Sequence, residues 1–89
     1  MPEIARFYGI VISMYFFDHA PPHLHARYGR AEAMFRLADA QSFRGELPPT
    51  ARELVREWIL AHRHELDENW RLVAAGNLPQ RVPGPDGRE

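Results

Sequence analysis

The chain has 89 residues, no cysteine and a formal net charge of −1. That length allows one domain of modest stability, and the missing thiols exclude disulfides, a thiolate metal site and a cysteine nucleophile. A near-neutral charge argues against a general electrostatic binder of nucleic acid, and no DNA partner is expected; yet all 11 basic residues are arginine, so a local face suited to bidentate phosphate or carboxylate contacts can exist within a neutral whole.

The start Met1-Pro2-Glu3-Ile4-Ala5 lacks a basic stretch ahead of an apolar one, so no secretory leader is read. Residues 10–17 form the most apolar run, too short to span a bilayer. The expectation is a cytoplasmic protein without membrane contact. Residues 4–7 and 10–17 are rich in β-branched and aromatic side chains and predict a hairpin about Tyr8-Gly9. Such a loop sets Phe7 opposite Ile10 and Arg6 opposite Val11. Ala5, Phe7, Ile10, Ile12, Met14 and Phe16 then share an apolar face; Arg6, Tyr8, Val11, Ser13, Tyr15 and Phe17 share the other.

The prolines of Asp18-His19-Ala20-Pro21-Pro22 interrupt the ladder with a stiff connection. Residues 23–28 and 31–37 predict a second hairpin about Gly29-Arg30. Its apolar face is Leu24, Ala26, Tyr28, Ala31, Ala33, Phe35 and Leu37. Its opposite face is His23, His25, Arg27, Glu32 and Arg36, with Met34 among them, and the register puts Glu32 across from Arg27 and Arg36 across from His23. Residues 40–44 are a candidate edge strand. Thr50 with Glu53 is a capping-box pattern behind Pro48-Pro49.

From Ala51 the period becomes 3.6, with Ala51, Leu54, Val55, Trp58, Ile59, His62, Leu66, Trp70 and Val73 on one stripe. An unbroken helix to Ala75 would be about 37 Å long. Leu60, on its polar side, suggests a bend near residues 62–64 or a helix-mediated homodimer. Gly76-Asn77 stops the helix. The patterning therefore predicts an α+β domain over residues 1–76: an antiparallel sheet of four or five strands, in two hairpins, packed on one face by a long C-terminal helix. Residues 77–89, rich in proline and glycine, read as a loose tail.

The densest chemistry lies between Asp18 and Arg36. Residues two apart on a strand share a side, so His23 and His25 project together, with His19 on the adjoining loop. One reading needs no cofactor. His23 and His25 transfer protons, Arg27 and Arg36 hold a phosphodiester, and Glu32 and Tyr15 support them, as in metal-independent RNA cleavage. The alternative is a divalent metal such as zinc or nickel on His19, His23 and His25, with Asp18 or Glu32 completing the shell. A third is a solvated face that presents itself to a partner protein. His62 and Asn69 fall on the helical stripe and read first as buried, hydrogen-bonded polar groups.

The run Met1-Pro2-Glu3-Ile4-Ala5-Arg6-Phe7-Tyr8-Gly9-Ile10, the string Asp18-His19-Ala20-Pro21-Pro22-His23-Leu24-His25-Ala26-Arg27-Tyr28-Gly29, Leu47-Pro48, Glu57-Trp58, His62-Arg63, Glu65-Leu66 and Glu68-Asn69-Trp70 together resemble domain-of-unknown-function family 4160, over roughly residues 1–83. The resemblance implies a small bacterial intracellular protein. It also implies a partner encoded nearby, from the family catalogued as 2442, in an arrangement similar to toxin–antitoxin modules. It assigns no catalytic residue.

Overall fold

The computed structural model describes residues 2–86. Five antiparallel strands pair in chain order, β1 (Glu3–Phe7), β2 (Ile10–Ser13), β3 (His23–Tyr28), β4 (Ala31–Arg36) and β5 (Ser42–Gly45). Two helices follow, α1 (Pro49–Ala61) and α2 (Arg63–Ala74). The α+β architecture is the one the patterning predicts, and the long helix is broken at His62, whose φ is −125°.

The turns set the register. Tyr8 and Gly9 both have positive φ, the geometry a two-residue hairpin loop demands. Phe7 therefore faces Ile10, and Arg6 faces Val11. In the β3–β4 hairpin His23 faces Arg36 and Arg27 faces Glu32, the pairs expected from the alternation. The core then assembles from Phe7, Ile10, Ile12, Met14, Leu24, Ala26, Ala33 and Phe35 of the strand region and Val55, Trp58, Ile59, Leu66 and Val73 of the helices. Burying each large side chain contributes about 1.5–3 kcal/mol. A bulge between Glu3 and Ala5 turns both Ile4 and Ala5 inward.

Several expectations are corrected. The second strand ends at Ser13 rather than Phe17. Phe17 adopts φ 56° and its amide donates to the Val73 carbonyl at 2.8 Å, so the chain is drawn off the sheet toward the end of α2. Its ring lies over Gly76, where a Cβ would collide with it. Phe16 and Tyr28 are exposed instead of facing the core. The edge strand starts at Ser42, after a buried Ala40 with φ 58°. Pro48 precedes α1 without a side-chain cap, and Glu53 pairs with Arg56 rather than closing a box with Thr50.

The tail also differs from the loose segment read from its composition. The buried Asn69 carboxamide clasps the backbone of Gln80, donating to its carbonyl and accepting from its amide, both at 2.8 Å. Val82 is buried, and its amide donates to the Ile4 carbonyl at 2.8 Å. The Trp58 indole N–H donates to the Pro83 carbonyl. Residues 80–83 thus form a strap from α2 across to β1, covering part of an otherwise open sheet edge. The end of the tail reading, residues 87–89, lies outside the described residues. No helix of the described residues is long and apolar enough to cross a membrane.

Candidate metal centre

β3 sets His23 and His25 on the sheet face away from the core, and the chain leaving β2 brings Asp18 back over them. The carboxylate is held from behind: its Oδ1 accepts the His19 amide at 2.8 Å. Its Oδ2 then lies 3.0 Å from Nε2 of His23 and 3.4 Å from Nε2 of His25. The three candidate ligand atoms all fall within 4.8 Å of one another.

The tautomer of His23 follows from its other nitrogen. Nδ1 lies 2.7 Å from the Pro21 carbonyl, which can only accept, so Nδ1 carries a proton and donates it. In neutral imidazole this leaves a lone pair on Nε2. That atom is buried and has no hydrogen-bond partner among the described residues. It sits at contact distance from Asp18 without the direction a hydrogen bond needs. The His23 ring is shut in by Trp70 of α2 at 5.3 Å between centroids, by Phe43 of β5 at 5.5 Å and by His25 at 5.2 Å. At this end, then, the second sheet face is enclosed by aromatic rings, where the alternation of the strands predicts a polar, open surface. His23 is 3% exposed.

His25 is the outward member, with its ring edge-on to Tyr15 at 4.2 Å. Burial pushes its pKa below the usual histidine value, and the Asp18 carboxylate only partly offsets that. Burial also pushes the Asp18 carboxyl up, but the His19 amide and the two imidazoles outweigh it and leave it below the ordinary range. Burial and the Glu32 and Asp18 charges raise the Tyr15 phenol, so it stays protonated at neutral pH. An aspartate anion and a neutral His25 are protonation states a divalent ion requires.

The family model for Domain of unknown function (DUF4160) matches residues 9–71. The chain belongs to that family. No curated protein and no solved structure matches it. The matched span of this DUF4160 chain holds Asp18, His23 and His25 together with Trp70, and leaves out β1 and the strap.

Of the residues singled out in the sequence, His23 and His25 converge with Asp18, and His19 does not join them. His19 is exposed, and its backbone rather than its ring engages Asp18. Arg36 is committed to Asp39, with Nε to Oδ1 at 3.2 Å and Nη2 to Oδ2 at 3.0 Å, and lies over the Phe43 ring. Arg27 and Glu32 face each other across the ladder, both exposed. Tyr15, His25 and Glu32 line one open groove with Met34 and Arg44. Sequence reasoning passed over the Pro21 carbonyl, which orients His23, and Arg44. The first has no signature in residue type. The second was detectable only once β5 was placed in register.

Proposed function

We propose that this protein binds a divalent transition metal through Asp18, His23 and His25, with the remaining coordination positions opening toward the groove beside His25. The observation that carries the reading is the orphaned Nε2 of His23, buried and 3.0 Å from the Asp18 carboxylate while Nδ1 is tied to the Pro21 carbonyl. A metal-binding histidine has this design: one nitrogen on the ion, the other N–H on a backbone carbonyl. The spacing agrees. Bonds of about 2.0–2.2 Å hold ligand atoms about 3.3 Å apart around a tetrahedral ion and about 3.0 Å apart around an octahedral one. The contacts to Asp18 Oδ2 are 3.0 and 3.4 Å. Two imidazoles and a carboxylate suit zinc, nickel or ferrous iron, and leave room for water or substrate.

Metal-independent RNA cleavage draws less support from these contacts. It requires His23 to trade protons with a substrate, and that ring is enclosed; it requires Arg36 to hold phosphate, and that guanidinium is occupied by Asp39. A partner protein, which the family resemblance implies, is compatible with a metal centre.

The test is metal uptake by untagged, chelator-stripped protein, read by elemental analysis and calorimetry. One zinc or cobalt ion per chain is expected. Asp18→Asn, which keeps the shape and removes the charge, and His25→Gln should each weaken binding at least about tenfold, a loss of about 1.4 kcal/mol. His19→Ala should bind as the wild type does. Substoichiometric uptake, or an equal loss in His19→Ala, would overturn the assignment.

A further inference from the structure

Beside the centre the same sheet face carries a groove of about 290 Å³, lined by Tyr15, His25, Glu32, Met34 and Arg44. The register explains it. Ser13, His25, Met34 and Arg44 are consecutive partners across β2, β3, β4 and β5, so they form one row on one face. Arg44 stands two strands from His25, about 10 Å between backbones, within reach of a guanidinium leaning over Met34. Gly45 lets the edge strand come this close: its φ is +74°, and a Cβ there would collide with the Glu32 carbonyl. Arg44 makes no ion pair with any described residue.

Charge settles the kind of ligand. Around the groove Asp18 and Glu32 balance Arg27 and Arg44, so the face is neutral until a divalent ion adds its two charges. The loaded face is then cationic and selects an anion. Tyr15 and Arg44 line the same groove as His25, so a bound ion, a guanidinium and a phenol border one volume. Three donors suit a tetrahedral oxyanion with three or more oxygens better than a two-oxygen carboxylate.

Resting on the metal reading above, we propose that the groove binds a phosphoryl oxyanion, one oxygen on the ion and another on Arg44. The Tyr15 hydroxyl donates to a third. Glu32 repels the anion from the metal-free protein, so phosphate uptake depends on the ion.

The experiment uses the full chain loaded with cobalt(II), whose visible bands report its ligands. Inorganic phosphate should shift those bands, while acetate should bind at least about tenfold more weakly. Arg44→Gln should weaken phosphate about tenfold or more, as expected for losing a charged hydrogen bond. Arg44→Lys should fall between the two, and cobalt uptake should be unchanged in both variants. Cobalt binding with no response to phosphate, with phosphate equally tight in Arg44→Gln, or with acetate matching phosphate would overturn this proposal and leave the metal centre standing. Failure to take up cobalt at all would overturn both.

Discussion

The two nitrogens of His23 live in different surroundings, and that asymmetry carries the functional argument. A buried polar atom without a partner costs about 1–3 kcal/mol. Asp18 Oδ2 lies 3.0 Å from Nε2 with no hydrogen bond formed. With Nδ1 tied to Pro21, a cation shared by these two atoms would satisfy both. In metal-free protein, nitrogen-15 spectra should show His23 protonated at Nδ1, the less common form of free imidazole; a proton on Nε2 alone would contradict the hydrogen bond to Pro21.

At the scale of elements, strict alternation made the β3–β4 hairpin legible. Leu24, Ala26, Ala33 and Phe35 fix one face to the core, so His23 and His25 have nowhere else to point. The same logic overran at the end of β2. Tyr15, Phe16 and Phe17 are good strand formers, but a tertiary bond from Phe17 to Val73 competes with the ladder and wins. The place of His19 was not legible, because a loop has no period from which to infer direction. The composition of the tail was likewise misleading. Proline and glycine describe a segment without regular structure, not one without partners. Asn69 supplies those partners from α2, so Asn69→Ala should leave the Gln80 amide and carbonyl unpaired and cost about 1–3 kcal/mol. Amide exchange at residues 80–82 should accelerate first; unchanged protection there would show that the clasp does not hold the strap.

For the whole molecule, the strap is tied to β1 at Glu3. Its carboxylate accepts from Arg6, at 2.8 Å from Nη2, and from Arg81 of the strap at 3.1 Å. The Arg6 hydrogen bond chiefly, opposed by burial and aided by Arg81, pulls the Glu3 pKa from 4.5 down to about 2. A carboxyl lowered by folding stabilises the fold above its unfolded value, and that contribution fades as pH falls from 4.5 toward 2. Solvent screening limits it to about 1 kcal/mol. Glu3→Gln should therefore be slightly less stable at pH 7 and lose less stability on acidification; a mutant curve parallel to the wild type across that interval would count against the link.

In this DUF4160 domain the Asp18, His23 and His25 cluster proposed to hold a metal is walled by Trp70 and Phe43 on one side and borders a groove on the other. X-ray absorption of the zinc-loaded chain tests it most directly. The account predicts imidazole scattering from two histidines at about 2.0–2.1 Å, with an oxygen shell at about 2.0–2.2 Å, and loss of one imidazole in His25→Gln. A spectrum with no imidazole scattering, or one unaltered by that substitution, would contradict it.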